Sequence, residues 1–135
     1  MRKTFLFAFA ALALSACKDA KTEEKAVLND VIKIHDTVMG NDEKLIQNKM
    51  KLDTLLKEAK NIEATTKIKQ LITKANDADS LMEKWMNKFD PEQKGKSHEE
   101  IMNYLSTQKK EVKLIDSLLN NAVKETSLYL QPFKK

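Results

Sequence analysis

Seven residues, Ile68, Leu71, Ala75, Ala78, Met82, Trp85 and Phe89, recur at steps of 3, 4, 3, 4, 3 and 4 along the chain. A repeat averaging 3.5 residues keeps one face of an α-helix turned toward a neighbouring helix, whereas a strand would alternate at every residue. A longer seam follows: Ile101, Leu105, Gln108, Val112, Ile115, Leu119, Ala122, Thr126 and Tyr129, with Gln108 and Thr126 as its polar members. Gly40, Pro91, Gly95 and Pro132 are the only glycines and prolines present, so few positions favour a helix end. No segment alternates apolar and polar residues with the β-branched and aromatic content of a strand. The expected fold is all-α: an elongated antiparallel three- or four-helix bundle with coiled-coil-like packing.

Four helices are expected. The first, over 26–39, carries Leu28, Val31, His35 and Val38 and stops at Gly40, with Asn41 or Asp42 capping the next. The second covers 42–62, the third 65–89 and the fourth 98–130. Asp90-Pro91 closes the third helix, and Ser97 with Glu100 forms a capping box that opens the fourth. At about 1.5 Å per residue the fourth helix is close to 50 Å long and needs a partner over its far end.

The N-terminus has a different character. Arg2 and Lys3 precede the apolar run 5–14 (FLFAFAALAL), which is long enough for a signal-peptide core and short of the roughly 20 residues of a membrane-spanning helix. Leu14-Ser15-Ala16 then leads into Cys17, the only cysteine. These residues resemble the bacterial lipobox, in which the thiol takes a diacylglycerol and the peptide is cut just before it. The expected organisation is a lipoprotein signal peptide at 1–16, a charged lipid-anchored tether at 17–25 and a helical bundle domain at 26–135.

Loss of sixteen residues from 135 leaves 119, enough for one compact domain, and removing Arg2 and Lys3 lowers the formal charge from +4 to +2. Arg2 is the only arginine, and lysines and acids are interleaved, which argues against nucleic-acid binding. The single cysteine allows no internal disulfide. Lys18, rather than aspartate, follows Cys17, which favours the outer membrane. Lys18-Asp19 with Glu23-Glu24 is a partial match to surface-export signals and leaves the membrane face open.

Two sets of side chains bear on chemistry. His35-Asp36 has the composition of a metal ligand or an oriented general base, yet no second histidine lies at helical spacing, and His35 sits on an apolar stripe, where a buried, hydrogen-bonded imidazole is expected. Asp36, rotated about 100° away, is expected on the surface and not in one site with His35. Met39, Met50, Met82, Met86 and Met102 offer thioethers of the kind that bind copper, but methionine commonly fills helical cores, and Met82 lies on the seam beside Trp85. His98 is expected to be solvated. No phosphate loop, nucleophile elbow or haem-attachment motif is present, and no metal, cofactor or catalytic residue is expected.

Three segments, Ile34 to Gly40 (IHDTVMG), Ala78 to Phe89 (ADSLMEKWMNKF) and Tyr104 to Gln108 (YLSTQ), resemble a group of short helical lipoproteins of Bacteroidetes, some labelled "viral A-type inclusion protein". Similar sequences read His-Asp-Glu-Val-Met with proline following; here Thr37 replaces the acid and Gly40 the proline. The resemblance implies a lipid-anchored helical fold. It also implies that His35, Asp36, Trp85, Tyr104 and Gln108 belong to one shared interior or binding site, in which His35 could reach Tyr104 or Gln108. The functional expectation is a non-enzymatic envelope lipoprotein that joins the membrane through Cys17 and binds a protein partner or supports envelope structure. The alternative is a periplasmic module binding a small ligand or metal through His35 and its neighbours.

Overall fold

In the computed structural model the backbone is described from Phe5 to Phe133 and the side chains from Asp19 to Phe133. The chain forms three helices, α1 (Phe5–Glu58), α2 (Ile62–Lys88) and α3 (His98–Leu130), and a 3-10 turn, Gln131–Phe133, at Pro132. No strand occurs among the described residues. The cleavage point before Cys17 and its thiol lie outside the residues whose side chains are described. Among the described residues no helix is long and apolar enough to cross a membrane.

The helices run up, down and up as an all-α bundle. α1 and α3 are parallel, and their polar contacts keep one offset: Asp30 with Lys109, Asn41 with Asn120 and Asn48 with Ser127 are each 79 positions apart. α2 is antiparallel to both, bonding Lys49 to Asn76 and Lys74 to Glu125. An offset held constant along α1 and α3 requires the shallow crossing of coiled-coil packing.

The two helices expected on either side of Gly40 are one. Val31, Val38, Leu45 and Leu52 are buried at strict intervals of seven, so the seam of α1 passes through Gly40 without a slip. A mid-helix glycine costs about 1 kcal/mol relative to alanine, less than the roughly 1.5–3 kcal/mol gained by burying one further leucine. Asn41 and Asp42 are therefore not caps: Asn41 bonds Asn120 at 2.8 Å, and Asp42 is buried. The single helix runs along α3 in one register and supplies the partner that the far end of α3 was expected to need.

The first real break is Ala59-Lys60-Asn61. Asn61, in extended conformation, accepts the Ala64 N–H at 2.7 Å and caps α2. Ile62, expected as the last residue of the second helix, instead starts α2 and is 86 % exposed. Between α2 and α3, Gln93 and Gly95 adopt positive φ (44° and 77°), and the Ser97–Glu100 capping box forms as expected. The expected seam residues Ile68, Leu71, Ala75, Met82, Trp85, Leu105, Val112, Ile115 and Leu119 are all buried. Thr126 is buried too; its hydroxyl donates to the Ala122 carbonyl at 2.7 Å and accepts from Asn48 Nδ2 at 3.0 Å.

Residues 19–25, part of the expected tether, continue α1 as helix. Glu24 is half-buried because His98 Nδ1, in the first turn of α3, lies 2.8 Å from its carboxylate, with Glu23 at 3.7 Å from Nε2.

Candidate functional site

Trp85 is the hub of the site. The spacing of four between Trp85 and Phe89 places both rings on one face of α2, where they stack at 4.8 Å between centroids. The His35 ring of α1 lies 5.9 Å from Trp85, and the Tyr104 ring of α3 lies 6.2 Å from Phe89. One ladder of near-parallel rings thus crosses all three helices. Tyr104 ends it by accepting the Asp90 N–H at 2.8 Å, which ties the start of the α2–α3 loop to α3. Trp85 is 7 % exposed and its Nε1 has no hydrogen-bond partner.

His35 differs from the expectation of a buried core histidine. Its side chain is 27 % exposed, and Nδ1 lies 3.2 Å from the carboxylate of Asp36, the residue expected to face away. Rotation about the helix separates the two Cα directions, but χ rotation of a short aspartate lets its carboxylate return to the ring edge. Nε2 faces Met86 Sδ at 3.4 Å. His35 reaches neither Tyr104 nor Gln108; Gln108 Nε2 bonds its own neighbour Glu111 at 3.2 Å. Trp85 therefore separates two surroundings, one with His35 and Asp36, the other with Tyr104 and Gln108.

The second surrounding is a groove of about 470 Å³ between α2 and α3, lined by Leu81, Lys84, Trp85, Lys88, Tyr104, Gln108, Glu111, Leu114, Ile115 and Leu118. Leu81, Leu114 and Leu118 are 41 %, 62 % and 41 % exposed. A smaller hollow of about 310 Å³ shares Leu81 and Leu118 and continues the groove to Lys74 and Glu125, which close it with a 2.7 Å ion pair. Seam spacing alone did not reveal the groove, because these leucines lie one helix position off the seams. The visible signal was the extra leucine beside each seam residue at Leu114-Ile115 and Leu118-Leu119.

Of the methionines expected in the core, Met82 is there, but Met39, Met50 and Met86 are 36 %, 65 % and 41 % exposed. Only positions on the seam are enclosed in a bundle of three helices; residues flanking it stay at the edge. A further group was not expected. Asp42 of α1 is 7 % exposed, with one carboxylate oxygen unpartnered. Burial pushes its carboxyl above the usual carboxylate range, and the charge of Asp79 on α2 adds to the shift. Among the described residues no three His, Cys, Asp or Glu side chains gather around one point.

Compared with family models, curated proteins and solved structures, the chain matches none of them.

Proposed function

We propose that the chain is a lipid-anchored protein of the bacterial envelope, of the helical kind that its sequence resembles. In this reading it is acylated on Cys17 after loss of 1–16, and it is non-enzymatic. Its α2–α3 groove holds an amphipathic helix of a partner protein.

The observation that carries the binding half is the groove itself. The seams of α2 and α3 already bury their apolar residues against α1, yet Leu81, Leu114 and Leu118 leave a second apolar strip between two helices. Such a channel is the surface into which a helix lays its apolar face. At about 1.5 Å per residue, the stretch of α3 between Tyr104 and Glu125 is about 32 Å long, room for a helix of about 20 residues. At the end of the groove beside Trp85 and Tyr104, Lys84 and Lys88 stand on the rim against Glu111, so the fitting helix carries acidic residues beside its apolar stripe at that end. The anchoring half is supported by the order of charge, apolar run, small residues and cysteine in the first seventeen positions. Stable anchoring needs more than one acyl chain, and the helical domain offers no second membrane signal.

Two experiments test the two halves. A photo-crosslinking residue at position 114 of the lipidated protein, in its own cells, is expected to capture one partner, and Leu118→Glu to abolish the adduct. An adduct that survives Leu118→Glu, or none above that from a crosslinker at the exposed position 63, rejects the groove. Cys17→Ala should leave the membrane fraction; its retention there after a high-salt wash rejects the anchor.

A further inference from the structure

The other side of Trp85 carries a distinct chemistry. A carboxylate only accepts hydrogen bonds, so the Asp36 oxygen 3.2 Å from His35 Nδ1 places the proton of the neutral imidazole on Nδ1. Nε2 then holds a lone pair, and it is aimed at the sulfur of Met86, 3.4 Å away, which has lone pairs and no hydrogen. Two lone pairs facing each other do not bond. An electrophile between them bonds both. Metal–nitrogen and metal–sulfur bonds of roughly 2.0 and 2.3 Å at a tetrahedral angle separate the two ligand atoms by about 3.5 Å, close to the spacing found here. Met39 lies one helical turn beyond His35 on the same side of α1 and is 36 % exposed.

We propose that His35, Met86 and Met39 form a binding site for a soft monovalent cation of the copper group, Cu(I) or its analogue Ag(I). Thioethers select such ions, whereas calcium and magnesium require oxygen ligands that this point does not offer. Asp36 acts from the outer shell: it fixes the tautomer and orientation of the imidazole and raises its basicity. Trp85, stacked on His35, shields one side of the ring. The site is independent of the α2–α3 groove, which α1 does not line.

The test titrates Ag(I) into the full chain carrying Cys17→Ser, which removes the only thiol, and follows the fluorescence of Trp85, the only tryptophan. One equivalent is expected to quench it. Met86→Leu and Met39→Leu, which conserve volume, should each weaken binding by more than roughly tenfold, and Asp36→Asn by roughly 10–100-fold, the range for an outer-shell partner of a metal-bound histidine. Met50→Leu, a thioether 65 % exposed elsewhere on α1, should bind as the parent does. Circular dichroism confirms that each variant stays helical; because Met86 is itself 41 % exposed, Met86→Leu decides the matter even where His35→Gln fails to fold. Unchanged affinity in Met86→Leu, a stronger response to Zn(II) than to Ag(I), or no quenching at all overturns the proposal.

Discussion

Asn41 donates a hydrogen bond to Asn120 at 2.8 Å, joining α1 to α3 one residue beyond Gly40. The contact keeps the same register as Asp30 with Lys109 and Asn48 with Ser127, on either side of it. A chain that turned at Gly40 could not keep one register across it. Helix continuity at this glycine is thus a property of the whole α1–α3 interface.

Gly40→Ala tests that continuity. A Cβ at this position meets nothing within 4 Å, and the backbone is helical. Alanine should stabilise the protein by about 1 kcal/mol, read as a higher urea midpoint with unchanged slope. A glycine ending one helix and admitting a second would instead be destabilised by the substitution.

Asp42 should make the bundle sensitive to pH in an unusual direction. Burial raises its carboxyl above the ordinary value of 3.8, so the folded state favours the protonated acid. As pH rises from that ordinary value through the raised one, the unfolded state releases its proton first and stability falls; below 3.8 the penalty is absent. Asp42→Asn removes the charge and keeps the shape, so it is expected to stabilise the protein at pH 7, and the gain should vanish in acid. Thermal melts of both proteins between pH 3 and 8 check it.

Ile115 and Leu114 are neighbours with opposite fates. Ile115 is 7 % exposed, so Ile115→Ala should cost about 2–5 kcal/mol. Leu114 is 62 % exposed, and Leu114→Ala should stay within about 0.5 kcal/mol. Equal losses on denaturant titration would mean that the two sides of α3 are not distinguished as described.

Ser97→Ala removes the hydroxyl that accepts the Glu100 N–H and donates to the Glu100 carboxylate, leaving only the backbone N–H of residue 97 bonded to that carboxylate. The expected loss is about 1 kcal/mol, measured by thermal melting. Ser106→Ala, in the exposed interior of α3, should not reproduce it.

The seams of α2 and α3 were legible because each is a heptad; α3 also opens with the Ser97–Glu100 capping box, whereas Asn61, which caps α2, falls inside the span expected for the second helix. The turn at Gly40 was misread because Gly-Asn-Asp has the composition of one helix end followed by another start. The strict sevenfold spacing of Val31, Val38, Leu45 and Leu52 carried the contrary signal, and burial outweighed local propensity. At the site, the resemblance groups Trp85 and Tyr104 with His35, Asp36 and Gln108; the structure links Trp85 to Tyr104 through Phe89 and stacks His35 on Trp85. The position of His35 depended on which helix faced it, and three helices in place of four moved it to an edge. The pairing of His98 with Glu24 spans 74 positions and had no local sign.

The uninterrupted α1 also sets a distance. At about 1.5 Å per residue, the stretch from Asp19 to Glu58 is about 60 Å long, with no hinge along it. A lipid on Cys17 would be joined to the bundle by a stiff rod pinned at His98, not by a slack leash. The Lys94–Lys96 loop would then lie close to the bilayer, and the Asn61 turn would stand far from it. Such a protein would act as a spacer of set height, reaching only partners whose binding helices stand within that span of the membrane.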